Sequence, residues 1–263
     1  MTMKLFQVDA FTQDPFKGNP AAVCLLSQSR PDDWMLALAA EMNLSETAFL
    51  LPEGDGWRLR WFTPKTEVSL CGHATLASAK VLFETGLAPK RQPIQFATQS
   101  GLLAASWREG KVELDFPIMR PEPVEVDPRV RSALDLDIQN SVRSGNYFLY
   151  EAESADMVRR ASPDFKVLAD SPAPEVMITA RSDEPQFDFI SRFFAPQLGI
   201  DEDPVTGSAH CVLAPYWAEK LGKETFAAYQ ASARGGVLDV TLAGDRVRIA
   251  GYARIIFEAD LLV

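Results

Sequence analysis

Two stretches of the chain resemble each other, and each carries one of its two histidines. The first reads LCGHATLASA over residues 70–79, and the second reads VTGSAHCVLA over residues 205–214. Gly72 of the first stretch aligns with Gly207 of the second, 135 residues further along the chain. This repeat predicts two similarly built units. A pseudo-symmetric pair would bring two glycine-led helix starts to one small ligand in a cleft.

A shorter signature precedes each of these stretches. Phe62 and Pro64 come before the first one, and Phe194 and Pro196 come before the second one, at a spacing of 132 residues. Because this spacing is shorter than that of the two motif glycines, we infer a short insertion between the two repeats.

The segment 116–128 separates the two halves. It contains four prolines and shows little hydrophobic periodicity, which is typical of an inter-domain connection. We therefore predict one unit over residues 1–117 and a second over residues 124–252, each large enough to bury a core. The last strand, at about 253–263, could return to complete the first unit.

Short alternating segments outnumber helical ones, which predicts an α+β fold in which a mixed, mainly antiparallel sheet wraps around a central helix in each unit. Two predicted helices cover residues 32–43 and 74–84. A third runs from the second glycine motif to Lys220, and Pro215 should kink this helix or start its main part. Predicted strands cover residues 4–11, 21–26, 45–51, 58–62, 95–99, 102–107 and 112–116 in the first half, and 146–152, 175–180, 188–196, 236–242, 246–252 and 255–263 after it.

Composition and charge exclude several classes of function. The 263 residues carry a net charge of −10, which argues against a nucleic-acid or anionic-membrane surface because phosphate binding needs a cationic patch. The sequence shows neither a signal peptide nor an apolar run of spanning length, so we expect a cytoplasmic protein. Three scattered cysteines, Cys24, Cys71 and Cys211, indicate reduced thiols and not a disulfide scaffold.

Motifs for common cofactors are missing from the sequence. It has no GxGxxG after a strand, no GxxxxGK[ST], no HExxH and no metal-ligand spacing of Asp, His and Cys. We therefore expect no nucleotide, metal or other cofactor. Chemistry on a small molecule would then depend on side chains that carry protons and on backbone dipoles.

Gly72 and Gly207 are candidates for anion binding. A glycine at a helix start lets a ligand approach the backbone, where free N–H groups and the helix dipole suit a carboxylate. Either glycine alone could simply relieve helix packing, but the repetition favours a ligand site.

Asp203 precedes Pro204 and is expected to be extended on the way into the second motif. It could transfer protons, or it could be an ordinary loop or capping acid. Thr206 and Ser208 could likewise be caps.

Glu46 is a carboxylate in the otherwise apolar stretch LSETAFLL, where an acid is uncommon unless it is paired or functional. Burial would prepare it for acid–base work, although a strand residue facing solvent is the alternative. His73 directly follows Gly72 and could orient or protonate a substrate, or it could be structural. His210 is expected to serve in packing or to lie at the surface.

Four blocks together resemble the PhzF-like family of phenazine-biosynthesis proteins. They are DAFTQDPFKGNPAAV, MNLSETAFL, RWFTPKTEVSLCGHATLASA and SRFFAPQLGIDEDPVTGSAH, and they occur in the family's order along almost the whole chain. The resemblance implies the fold of diaminopimelate epimerase, with the active site between two similar domains and often a homodimer.

The resemblance also implies roles for single residues. Glu46 would be the catalytic acid/base, and His73 and Asp203 would line the site with it. The implied substrate contacts are Gly72, Gly207, Ser208, Ser45 and Asn19. The namesake enzyme converts a dihydro-hydroxyanthranilate to its ketone tautomer without a cofactor, so we expect an isomerase acting on a small carboxylic acid.

Two alternatives remain at this point. Racemases and epimerases of this fold use two facing thiols, but the partner of Cys71 here is Thr206, which is a far weaker acid–base group. Cys71 would then be a small buried side chain. A binding protein that keeps the site without turnover is the other alternative.

Overall fold

The last strand of the chain returns to the first one. In the computed structural model, which describes residues 3–263, the strand Ala253–Leu261 pairs antiparallel with the strand Met3–Ala10. The two ends of the chain therefore belong to one sheet.

The backbone divides into two units. One comprises Met1–Asp115 together with Ala250–Val263, and the other comprises Phe116–Ile249. The division after Asp115 falls beside the proline-rich segment 116–128 of the sequence.

In the first unit the helices are α1 (Asp32–Met42) and α2 (Gly72–Glu84). Its strands are β1 (Met3–Ala10), β2 (Asn19–Leu25), β3 (Glu46–Glu53), β4 (Gly56–Phe62), β5 (Glu67–Val68), β6 (Ile94–Thr98), β7 (Gly101–Arg108), β8 (Lys111–Pro117) and the closing strand Ala253–Leu261, which is β18 in chain order.

The sheet of the first unit alternates antiparallel and parallel pairs. Strand β1 is antiparallel to β18 and β2, β2 is parallel to β3, and β3 is antiparallel to β4. Strand β4 is then parallel to β6, which continues antiparallel through β7 to β8. Cys24 and Phe49 pack under α1, so the alternate residue Ala21 faces the other way, toward α2.

In the second unit the helices are α3 (Pro128–Leu134), α4 (Ala155–Arg160), α5 (Phe165–Ala169) and α6 (His210–Leu221), with a 3₁₀ turn at Pro196–Leu198. Its strands are β9 (Glu122–Pro123), β10 (Ile138–Ser144), β11 (Tyr147–Ala152), β12 (Glu175–Arg181), β13 (Phe189–Ala195), β14 (Ile200–Asp203), β15 (Thr225–Gln230), β16 (Gly236–Ala243) and β17 (Arg246–Gly251).

The second sheet repeats the same order of pairings. Strand β10 is antiparallel to β9 and β11, β11 is parallel to β12, and β12 is antiparallel to β13. Strand β13 is parallel to β15, which is antiparallel to β16. Val176 and Ile178 face the cluster under α3 to α5, whereas Thr179 accepts a 3.1 Å hydrogen bond from Trp217 of α6 on the opposite face. The predicted α+β architecture, with one central helix per sheet, is confirmed.

Helix α2 is the central helix of its unit. All of its residues except Lys80 and Glu84 are buried, which explains why its sequence is small and apolar on every side. Two hydroxyl groups inside it are satisfied by the helix itself, because Thr75 donates to the carbonyl of Cys71 and Ser78 to that of Ala74, at 2.6 and 2.7 Å.

Helix α6 contains a proline in its interior. The prediction that Pro215 would start the main part of the helix is wrong, because α6 begins five residues earlier, at His210. Proline has no N–H to donate to the carbonyl of Cys211. The backbone N–H of Met119 donates to that carbonyl instead, at 3.0 Å, so the buried acceptor keeps a partner.

The long predicted elements are present, with ends shifted by a few residues. A tight turn at Glu109 and Gly110 joins β7 to β8, since both residues have positive φ and Arg108 pairs with Lys111. The sequence analysis missed α3, α4, α5, β5, β9, β10, β14 and β15. Within residues 3–263 no helix is both long and apolar enough to cross a membrane.

Candidate functional site

Glu46 and His73 meet at one end of the first sheet. Glu46 is the first residue of β3, His73 is the second residue of α2, and the carboxylate Oε2 lies 3.2 Å from the imidazole Nε2. Both residues are buried, with 9% and 5% of their surface exposed. The alternative in which Glu46 faces solvent is therefore excluded. A carboxylate this close to an imidazole is placed to exchange a proton with it or with a molecule beside it.

Cys71 approaches the other nitrogen of the same ring. Its Sγ lies 3.5 Å from Nδ1 of His73, and it is the residue that precedes the first turn of α2. Thiol, imidazole and carboxylate thus form a continuous line of three groups of types that can carry protons. The sequence analysis treated Cys71 as a small buried side chain, and the structure adds this contact to its burial.

Among the residues that the structure describes, these same three form the one group of side chains that is close enough together to hold a metal ion. One ligand atom from each of Glu46, Cys71 and His73 lies within 4.8 Å of the others. The fold thus assembles a set of ligand types that the spacing along the sequence did not reveal. However, the two short contacts use opposite ring nitrogens, and an imidazole offers one nitrogen to a given ion. The arrangement fits a chain of proton carriers better than a tetrahedral centre.

Gly72 is the first residue of α2, as predicted. The side chain of the preceding residue does not cap the first turn, whose N–H groups are the ones that a helix leaves without intrahelical partners. This helix start, next to His73, is suited to a carboxylate.

Asn19 and Ser45 lie near Glu46 in the sheet of the first unit. Ser45 directly precedes it, and Ala21 is its neighbour on the adjoining parallel strand. Asn19 precedes Ala21 by two residues, so its side chain projects from the same face of the sheet as that of Glu46. Asn19 is fully buried and Ser45 is half-buried.

Asp203 ends β14 in the second unit and is tied to the loop that follows. Its Oδ2 accepts a hydrogen bond from the hydroxyl of Thr206. Gln230 holds both residues: its amide nitrogen donates to the backbone carbonyl of Asp203, and its amide oxygen accepts from the backbone N–H of Thr206, each at 2.8 Å. The carboxylate is buried and has a fixed orientation.

Gly207 does not begin a helix, so the prediction of two equivalent helix starts is wrong in the second half. Residues 207–209 form a tight turn, in which His210 donates to the carbonyl of Gly207 and Cys211 to that of Ser208, both at 3.0 Å. This 3₁₀-type turn leads into α6 at His210. Ser208 is half-buried, and its Oγ lies 3.0 Å from the hydroxyl of Tyr147.

His210 is a core residue. Its Nδ1 lies 3.0 Å from the carbonyl of Thr206, and its ring stacks on Phe189 at 6.0 Å. Burial lowers the pKa of His210 from 6.5 to about 4, so the neutral ring donates from Nδ1 to that carbonyl. Of the two roles predicted for His210, packing is confirmed.

Gln230 and Tyr147 were missed by the sequence analysis. They lie 24 and 61 residues from the loop residues that they contact, and neither belongs to a repeated motif. A pocket of about 690 Å³ elsewhere in the second unit, beside Arg192 and Tyr229, contains no predicted site residue. The guanidinium of Arg192 is already paired with Glu202 there, at 2.6 Å.

Comparison with known proteins assigns the chain to a family. The model of the phenazine biosynthesis-like proteins, PhzC-PhzF, matches residues 8–259. The chain belongs to the PhzC-PhzF family. An uncharacterized isomerase of Halalkalibacterium halodurans is 50% identical over 266 residues, which cover 100% of each chain.

Solved structures of the PhzF family agree with this assignment. The protein of Enterococcus faecalis is 41% identical over 100% of both chains, with a TM-score of 0.96. A predicted epimerase of Pseudomonas aeruginosa is 25% identical over 100% of both chains, with a TM-score of 0.78. The fold is therefore shared between PhzF-family proteins and a protein described as an epimerase.

Proposed function

We propose that this protein is a cofactor-independent isomerase that moves a proton within a small carboxylic acid, with Glu46 as the acid/base. The observation that carries the proposal is the buried carboxylate of Glu46, 3.2 Å from Nε2 of His73. The isomerase name of the Halalkalibacterium halodurans relative supports the reaction class.

The chemistry follows from the groups at this end of the first unit. In its ionised form Glu46 accepts a proton from one carbon of the substrate, and in its protonated form it returns that proton to another carbon. His73 orients the carboxyl group and stabilises its charged form. The N–H groups at Gly72 hold the carboxylate of the substrate, and conjugation within the substrate spreads the charge that develops.

Asp203 and Ser208 are proposed as substrate-handling residues, together with Gly207. Asp203 is held rigidly by Thr206 and Gln230, which is what a group with a fixed role in proton positioning requires. Ser45 and Asn19 are proposed as contacts on the Glu46 side. The proposal includes a homodimer, which size-exclusion chromatography with light scattering would reveal as twice the chain mass, and a cytoplasmic location.

The test is proton exchange on a cyclic, unsaturated carboxylic acid. A dihydro-hydroxyanthranilate and a panel of related acids are incubated in heavy water, and mass spectrometry follows deuterium entry and the shift of the double bond. Loss of the acid/base in Glu46→Gln should lower the rate by about 10²–10⁴-fold. Glu53→Gln is the matched control, because Glu53 ends the same strand, is exposed and pairs with Arg58.

Undiminished turnover by Glu46→Gln would refute the assignment. Recovery of every acid intact, together with measurable binding, would favour the alternative of a binding protein without turnover.

An amino-acid epimerase is the second candidate function. It is favoured by the contact between Cys71 and His73 and by the epimerase name of the Pseudomonas aeruginosa structure. It is weakened in the second unit, where the position of Cys71 is taken by Thr206 and the hydroxyl of that threonine is engaged by Asp203. Isomerisation by a single carboxylate therefore remains our principal proposal.

A further inference from the structure

Glu175 occupies in the second sheet the position that Glu46 occupies in the first. Each is the first residue of its strand, β12 or β3. The residue after Glu46 pairs with Phe62, and the residue after Glu175 pairs with Phe194. These phenylalanines are the ones whose 132-residue spacing the sequence shows. The internal repeat therefore gives the catalytic glutamate a counterpart.

The glycine motifs extend this correspondence. His73 follows Gly72, and Ser208 follows Gly207. In the first unit the imidazole is long enough to reach within 3.2 Å of the glutamate carboxylate. A serine side chain is shorter than that of a histidine. In the second unit a third residue is therefore needed to connect Ser208 to Glu175.

Tyr147 is that bridging group. It neighbours Glu175 on the adjoining parallel strand, where the first unit has Ala21 beside Glu46. The Tyr147 hydroxyl is hydrogen-bonded to the Glu175 carboxylate and lies 3.0 Å from Oγ of Ser208. A tyrosine in the place of an alanine thus links the half-buried acid Glu175 to the turn before α6.

The surroundings of Glu175 and Tyr147 disfavour the charged form of each side chain. Burial raises the pKa of Glu175, and the hydrogen bond from Tyr147 lowers it in part. The pKa of Tyr147 is raised by burial first and then by Glu175. The other groups that face Tyr147 are the ring of Phe193, at 6.1 Å, and the thiol of Cys211 on α6, whose pKa burial raises to about 12.

We propose that Glu175 sets the direction of the hydrogen bonds along Tyr147 and Ser208, and thereby decides whether Ser208 donates to a ligand or accepts from it. Tyr147 and Glu175 are positioning residues in this scheme, since they act through Ser208. The inference rests on the proposed function in one respect, namely that Ser208 contacts the substrate.

The two directions follow from the single proton on each hydroxyl. Ionised Glu175 accepts the proton of Tyr147, so Ser208 donates to Tyr147 and presents lone pairs to the ligand. Protonated Glu175 can donate to Tyr147, which then donates to Ser208, and the Ser208 proton is free to bind a ligand carboxylate. Carboxylate binding at Ser208 is therefore favoured at pH values below the pKa of Glu175.

The first test needs no ligand. The carboxyl carbons of glutamate are labelled with ¹³C, the signal of Glu175 is assigned by its loss in Glu175→Gln, and its titration is followed by NMR. Tyr147→Phe should move the midpoint to higher pH because a hydrogen bond to the carboxylate is lost, and Ser208→Ala should move it in the same direction by less.

Tyr150→Phe is the matched control, since Tyr150 is buried on the same strand and its pKa responds to burial and Asp127. An unchanged midpoint in both Tyr147→Phe and Ser208→Ala would overturn the proposal, and Ser208→Ala alone decides if Tyr147→Phe does not fold.

The second test uses benzoate and its neutral isostere benzamide as probes, one pH unit below and one above the midpoint that NMR gives for Glu175. Because a hydrogen bond to a charged group is gained at the lower pH, benzoate should bind wild type about fivefold more tightly there, and benzamide should not. The difference should vanish in Glu175→Gln, and its persistence there would overturn the proposal. Failure of benzoate to bind at either pH would count against the proposed carboxylate substrate, whereas the NMR titration would still decide the role of Glu175.

Discussion

The sulfur of Cys71 lies 3.5 Å from Nδ1 of His73, on the side of the ring opposite to Glu46. An imidazole at this distance can accept the thiol proton and hold the thiolate as an ion pair. For the other two cysteines burial is the largest influence, and it raises the pKa of both Cys24 and Cys211 to about 12.

We predict that iodoacetamide alkylates Cys71 first. At pH 6.5 its rate should exceed that of Cys24 or Cys211 by about tenfold or more, because only the thiolate reacts. Cys71 is 7% exposed, against 0% for Cys24 and 1% for Cys211, so access favours the same order. Peptide mass spectrometry of the folded protein measures the three rates in one sample.

His73→Gln separates the effect of the imidazole from that of access. The variant removes the base and keeps a side chain of similar length, so Cys71 should lose most of its advantage at pH 6.5. Equal rates at the three cysteines in wild type would contradict the prediction.

Gly18 and Gly222 have nearly the same backbone conformation, with φ of +63° and +64°, but different surroundings. A Cβ on Gly18 would lie 2.1 Å from the carbonyl oxygen of Ala10, whereas one on Gly222 would meet nothing within 4 Å. Gly222→Ala should therefore cost only the left-handed strain, about 1 kcal/mol in the free energy of unfolding. Gly18→Ala should cost roughly 1–3 kcal/mol more because backbone must move.

Urea unfolding of the two variants measures this difference. Since Gly18 precedes Asn19 at the start of β2, the costlier substitution should also disturb the Glu46 side of the site. Equal losses of stability would show that the loop after Ala10 yields without strain.

The repeated motifs carried most of what the sequence could predict. Residues 70–79 and 205–214 predict the two central helices, and the block around Glu46 predicts a buried carboxylate, which the structure places beside His73. The short helices α3 to α5 were missed because five to seven residues do not complete an amphipathic pattern.

Long-range contacts set the remaining limits of the prediction. Gln230 reaches Asp203 from β15, and the strand that carries it has no motif. Glu175 is the first residue of a predicted strand. Only the pairing of the next residue with Phe194 shows that Glu175 is the counterpart of Glu46. Strand register and side-chain contacts depend on tertiary packing, which a local sequence pattern does not specify.

The principal proposal and the epimerase alternative predict different results with amino acids. Under the principal proposal, wild type should leave the α-hydrogen of proline and of other amino acids unexchanged in heavy water, since Thr206 offers a hydroxyl in place of the second thiol. Thr206→Cys is the companion variant, which supplies that thiol. Deuterium entry catalysed by wild type, detected by NMR, would restore epimerisation as the principal function.

His210 should make stability depend on pH. Its pKa is about 4 in the folded protein, against 6.5 in the unfolded chain, because the buried ring cannot be charged without cost. Between these values the unfolded state binds more protons, so stability is fully present above pH 6.5 and is lost as the pH falls toward 4. The loss should be on the order of 3 kcal/mol in the free energy of unfolding. His210→Asn keeps a donor for the carbonyl of Thr206 and does not titrate. Urea unfolding from pH 7.5 to pH 4 should therefore show that the stability of wild type relative to His210→Asn falls with acidification. A constant difference would mean that His210 binds a proton equally well in the folded and unfolded states, so that burial does not lower its pKa.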